Sequence, residues 1–179
     1  MNIFFLDKDP VIAAQSQFDI HVNKMMIESA QLLSTAHHVL QSDINTKLIY
    51  KATHKNHPMS KWVYEYVGNY RWLLAHAQAL ADEFKYRRKK DHKTMETIIN
   101  LHYDISKFYP SCDKELLTWG NHTVTTPPLC MFDQYKKECV IESYREFYKN
   151  AKLKDSRGIP MNIFTRRKPP EWLLDGQVI

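Results

Sequence analysis

Glycine is scarce in this chain, with four residues in 179. So few argue against a glycine-rich nucleotide-binding fold, and no P-loop, GxGxxG turn or GxSxG nucleophile elbow occurs. They argue equally against a sandwich of tightly turned strands. Cysteine is scarce too. Cys112, Cys130 and Cys139 form no CxxC pair, and their odd number reads as free thiols in a reducing cytoplasm. HExxH is absent and the nine histidines show no metal-ligand spacing, so neither a metal nor a cofactor is expected. No run approaches the ~18 apolar residues of a membrane span. The short apolar stretch at residues 3–6 has no basic leader in front of it, which excludes a signal peptide.

What the chain does hold is clustered positive charge. The net charge is +5 and the pI near 9.0, a balance that suits a polyanionic partner. Ten tyrosines and four tryptophans add stacking surface to that option. The length supports one domain over residues 1–179 with a real core. The expected fold class is mainly α: a single compact helical domain with a short N-terminal extended segment, acting as a monomer.

Along the chain, residues 2–6 read as one short strand or extended segment. Asp9-Pro10 signals a helix start, with Asp as the cap and Pro at the first helical position, opening a helix to about residue 17. Asp19 is placed to cap a longer helix to about residue 40, whose apolar positions recur at helical spacing. Lys51-Ala52-Thr53-His54-Lys55-Asn56-His57-Pro58 is polar and cationic and ends in proline, so it reads as a structured loop. Residues 60–88 then read as one long helix with an aromatic inner face. It ends in Lys85-Tyr86-Arg87-Arg88-Lys89-Lys90, where cations suit the helix dipole and an exposed aromatic suits a phosphate-tracking surface. Shorter helices are expected at 94–101, 111–119 and 138–152. The basic tail, about 160–179, is expected to lie extended across the body, anchored by Trp172.

The chemistry is narrowed to two stretches. His21, Lys24 and Glu28 stand at i, i+3 and i+7, within one arc of a helix turning about 100° per residue. By spacing alone this is a solvated face with a Lys24–Glu28 pair. The same three groups also suit glycosidic chemistry: the carboxylate stabilises positive charge on a sugar or activates water, and an amine can attack the anomeric carbon. The second stretch is the His54-Lys55-Asn56-His57 loop, read either as an interhelical connection or as a binding element.

These motifs carry a resemblance. Asp19-x-His21 followed by Glu28, behind a short N-terminal hydrophobic segment, resembles the phage pyrimidine-dimer DNA glycosylases of the endonuclease V type. Lys55-Asn56-His57-Pro58 looks like a motif of the broader pyrimidine-dimer excision family, as does the helix closing on Phe84-Lys85-Tyr86-Arg87. The whole chain is similar to a group of small phage-encoded proteins. They share the Leu6-Asp7-x-Asp9-Pro10 opening, the Thr53-His54-Lys55-Asn56-His57-Pro58 loop and the Arg167-Lys168-x-Pro170-x-Trp172 ending.

The resemblance implies a DNA glycosylase acting on a pyrimidine dimer or a hypermodified pyrimidine such as glucosylated hydroxymethylcytosine. Glu28 would be the catalytic carboxylate, and His21 and Lys24 would position the sugar-phosphate or supply an amine. His54, Lys55, Asn56, His57, Arg87, Arg88, Arg145, Arg167 and Lys168 would contact DNA. One departure bears on the lyase step. The dimer glycosylases use a processed N-terminal amine, whereas Asn2 is too bulky for efficient methionine removal. A retained Met1 amine, Lys24 or a water-only mechanism are the alternatives. Two other classes compete: a non-catalytic DNA- or nucleotide-binding protein, and an enzyme acting on free nucleosides.

Overall fold

The structure, a computed structural model, describes residues 1–174. The mainly α class holds. The helices are α1 (Pro10–Gln15), α2 (Asp19–Val39), α3 (Pro58–Glu65), α4 (Val67–Arg88), α5 (Met95–Asn100), α6 (Val140–Ala151) and α7 (Glu171–Leu174). One small hairpin, β1 (Leu116–Trp119) and β2 (His122–Thr125), pairs antiparallel with Leu116 opposite Thr125 and Trp119 opposite His122. Among the described residues no helix is long and apolar enough to cross a membrane.

The two long helices, α2 and α4, pack on each other, and the N-terminal segment runs through the core beside them. Ile3, Phe4, Phe5 and Leu6 are all buried. The Phe5 ring meets Trp62, Trp72, Trp119 and Tyr144, while Phe4 meets His21, Phe147 and Tyr148. Burying each such ring contributes about 1.5–3 kcal/mol. The segment therefore joins α2, α4, the hairpin and α6 into one core. It belongs to no sheet, and within it Leu6 N–H turns back to the Phe4 carbonyl at 2.9 Å. Its polar backbone groups are met otherwise: Arg145 Nε donates to the Leu6 carbonyl at 2.8 Å, and Ile3 N–H donates to Asn2 Oδ1 at 2.8 Å.

Local expectations are corrected in three places. The helix expected over 60–88 is broken at Tyr66, which is extended at φ −148° and ψ 133°. Asn69 covers the break, donating to the Trp62 carbonyl at 2.7 Å while its Oδ1 accepts from Thr125 N–H at 2.8 Å. Residues 111–119 are not helical. Their C-terminal part is strand β1, turned by Gly120 at φ +60°, a glycine-first two-residue hairpin turn. Asp19 does not cap α2. It is the first residue of that helix, and its carboxylate accepts from Thr165 N–H at 3.0 Å and Arg87 Nη1 at 2.9 Å. Asp9, by contrast, caps α1 as expected, accepting from Val11 and Ile12 N–H groups.

Candidate active site

The buried N-terminal segment ends against the middle of α2. Asn2 N–H donates to Glu28 Oε2 at 3.0 Å, and Lys24 Nζ lies 3.6 Å from Glu28 Oε1. Glu28 is 15% exposed and Lys24 63%, so the carboxylate sits at the surface of the core and the amine reaches outward. The Asn2 side chain is tied down as well. Its Nδ2 donates to the Cys130 carbonyl at 3.0 Å, and its Oδ1 lies 3.3 Å from the Tyr144 hydroxyl, which donates to the Pro128 carbonyl at 2.8 Å.

His57 lies close enough to feel the Glu28 charge. Pro58 opens α3, and His57 caps it with Nδ1 accepting from Met59 N–H at 3.1 Å. That bond puts the proton of the neutral ring on Nε2. Burial lowers the His57 pKa, as do the positive charges of the Met1 α-amine and His54, while Glu28 opposes them. Burial pushes the Cys130 thiol up, against the α-amine, Lys136 and a bond from the Met59 backbone. Glu28, His57, Cys130 and the Met1 α-amine thus share one electrostatic neighbourhood, built from α2, the 53–58 loop and the segment around residue 130.

His21 does not share that neighbourhood on equal terms. It is buried among Phe4, Phe18 and Tyr148. Phe18 N–H donates to the Tyr148 hydroxyl at 2.8 Å, and that hydroxyl shares a 2.7 Å hydrogen bond with His21 Nδ1. Burial, then Lys152 and Lys24, lowers the His21 pKa to about 3. His21 is therefore a neutral imidazole, and the expected stripe of acid, base and amine divides into a buried ring, a mostly buried carboxylate and an exposed amine.

A cleft of about 470 Å³ opens beside it, lined by His21, Lys24, Lys152, Lys154 and Asp155 among others. Lys152 was missed in the sequence, where it is one more lysine at a helix end. In the fold its amine is half-buried and stands over the Phe147 ring at 4.7 Å. Burial and Lys24 lower its pKa, and Glu28 opposes them. A larger cleft of about 620 Å³ shares Ile20, Asp155 and Met161 with the first and adds Arg88, Lys90 and Arg157. The two clefts adjoin as a trough whose cations outnumber its carboxylates, with Arg88 paired to Asp19 and Arg157 to Asp155.

The expected DNA-contacting residues separate into two sets. His54, Lys55, Asn56 and Lys168 are exposed, and Arg88 is half-exposed although it meets Asp19 at 3.3 Å. Arg87 is corrected: at 1% exposure it is a core residue, bonded to Glu83, Asp19 and the Gln15 and Gln17 carbonyls. Arg167 is held by both oxygens of Glu83, at 2.6 and 2.7 Å. Arg145 is held by Asp7 and the Leu6 carbonyl, with Trp172 over it. Tyr86, the aromatic of the basic run, is a strut. Its hydroxyl donates to the Arg166 carbonyl and its ring lies under Lys89 and Arg167. The tail thus anchors through its arginines and Phe164 as well as Trp172, which lies within the short helix α7. Its last five residues lie outside the described ones.

Among the described residues no group of three or more His, Cys, Asp or Glu side chains is disposed to hold a metal. No protein-family model, no curated protein and no solved structure matches this chain.

Proposed function

We propose that the protein is a monomeric DNA glycosylase that excises a damaged or modified pyrimidine, a pyrimidine dimer or a hypermodified base such as glucosylated hydroxymethylcytosine. The observation that carries this reading is the Glu28 carboxylate. It is held at the rim of the core by the Asn2 backbone N–H, with amines and His57 around it and a cationic trough alongside. A carboxylate so placed stabilises the positive charge that develops on a deoxyribose as the bond from C1′ to the base breaks. The base leaves with the electron pair and takes up a proton. Water adds at C1′, giving up its proton, and an abasic site results.

A lyase branch would instead have an amine attack C1′ and form a Schiff base. Lys24, Lys152 and the Met1 α-amine are the amines of this neighbourhood. Borohydride trapping followed by peptide mapping identifies which of them, if any, carries it. The exposed 54–56 loop, Arg88 and Lys168 supply the phosphate contacts, the part of DNA binding that depends on salt.

The reading is tested by incubating the protein with ultraviolet-irradiated DNA and with DNA from phages of modified and unmodified base composition. Alkali-labile breaks are expected on one of these substrates, with free base released where the target is a single modified base and a base still joined to its neighbour where the target is a dimer. Intact strands on all of them would overturn the assignment. Release of base from free nucleosides without action on DNA would replace it with a nucleoside-processing enzyme.

A further inference from the structure

Three isoleucines left exposed by the fold converge on one concavity. Ile20 is 47% exposed, Ile159 50% and Ile163 59%, and all three line the cleft of about 620 Å³ together with Met161. Single exposed apolar residues are common at protein surfaces, but a group of them in one cleft marks a binding surface. The group is also held in place. Met161 N–H donates to the Leu153 carbonyl at 2.7 Å, and Asp19 N–H donates to the Ile163 carbonyl at 2.9 Å. The turn before Ile159 closes on the Asp155 carboxylate, which accepts from the Arg157 and Ile159 N–H groups at 2.9 Å each.

Cations border this floor along its length. Ile20 and Met161 also line the cleft of about 470 Å³, where Lys24, Lys152 and Lys154 stand. Lys24 Nζ is 3.6 Å from Glu28, so the floor leads to the candidate active site. Arg88 and Lys90 border its other end. The two carboxylates that face the trough are already engaged. Asp19 accepts from Arg87 and Thr165 and pairs with Arg88, and Asp155 holds Arg157 and its own turn. Lys90, Lys152 and Lys154 form no ion pair among the described residues.

Resting on the glycosylase reading, we infer that the trough takes the target strand unpaired, so that the substrate of this site is single-stranded or locally opened DNA. A duplex offers a protein its phosphates, its sugars and the polar edges of its bases, and hides the base faces. Aliphatic side chains in a cleft gain little from the first three. In an unpaired strand the faces are free: Ile and Met side chains pack on them while cations follow the backbone. An acidic peptide with apolar side chains would share part of this chemistry. Cations at both ends of a trough that runs to Glu28 favour the strand on which Glu28 acts.

The test uses the full chain and a short labelled oligonucleotide of mixed sequence, alone and annealed to its complement, with binding read by fluorescence anisotropy over a range of salt. The wild type should bind the single strand about tenfold more tightly than the duplex. The double variant Ile159→Ser with Ile163→Ser should lose roughly that factor on the single strand and keep its duplex affinity. Its salt slope should not change, because no phosphate contact is removed. Lys90→Ala should show the opposite signature, a single-strand salt slope smaller by about 0.7. All three side chains are exposed, so thermal melts of the variants should match the wild type. A wild type that binds the duplex as tightly as the single strand would overturn the inference, as would wild-type single-strand affinity in the double serine variant. A glutamate–leucine copolymer that binds more tightly than the oligonucleotide, and loses that affinity in the serine variant, would also overturn it and make an acidic peptide the occupant. All of these are binding measurements on undamaged DNA; the glycosylase reading fails separately, on the absence of abasic sites in irradiated or modified DNA.

Discussion

Two carboxylates, Asp19 and Glu83, meet the Arg87 guanidinium inside the protein, and Arg167 closes the far side of Glu83. Burial alone would raise the pKa of Asp19; bonds from Thr165 and Arg87 outweigh it and bring the pKa down. Removing the central cation leaves two buried anions short of partners, which costs about 3–5 kcal/mol. Arg87→Met should therefore lower the urea midpoint strongly, and a loss below about 1 kcal/mol would contradict the assignment of Arg87 to the core. The histidines make a second residue-scale prediction. His21, His37 and His76 are buried, and burial lowers their pKa values to about 3, about 4 and about 4. Each is neutral when folded and takes up a proton on unfolding below its ordinary pKa. Stability is thus full above about pH 6.5 and falls as pH drops toward 4, by about 1.4 kcal/mol per unit for each histidine. Urea titrations at a series of pH values should show this slope, and a flat profile between pH 7 and 5 would contradict it.

At the scale of elements, Gly68 explains how the hairpin seats on α4. A Cβ built there would lie 1.9 Å from the Thr123 carbonyl oxygen and 2.5 Å from the Tyr66 ring. Backbone cannot yield as a flexible side chain does, so Gly68→Ala should destabilise the protein by about 1–3 kcal/mol. Hydrogen exchange should show the loss concentrated in the 116–125 hairpin, and an exchange pattern like that of the wild type would refute the contact. The same region shows what sequence could reveal. The apolar repeat of α2 and the Asp9-Pro10 start of α1 were legible because local chemistry and tertiary packing agree there. The break at Tyr66 was not, since the aromatic periodicity runs through it and its cause lies in Asn69 and Thr125, 56 residues apart. Leu116 to Trp119 is a short apolar run that fits helix or strand equally, and only pairing across Gly120 decides it.

The whole molecule is organised on its N-terminal segment, which crosses the core and delivers Asn2 to Glu28. Glu28 and the 53–58 loop were legible as candidates, and the fold brings them within each other's electrostatic reach. Lys152 was hidden because its position depends on how α6 lies across α2. The positive charge is also less available than the composition implies, since Arg87, Arg145 and Arg167 all serve internal carboxylates. Under the proposed function, DNA affinity should weaken in Lys55→Ala and Lys168→Ala, each reducing the slope of log affinity against log salt by about one. Unchanged slopes would contradict these phosphate contacts.

The central claim is that Glu28 performs the chemistry on DNA. Glu28→Gln keeps the shape of the side chain and an oxygen to accept the Asn2 N–H, and removes the charge. On whichever irradiated or modified DNA the wild type converts, this variant should bind with wild-type affinity and form abasic sites at least 100-fold more slowly, the order expected for loss of one preorganised charge. Abasic-site formation at the wild-type rate would contradict the account.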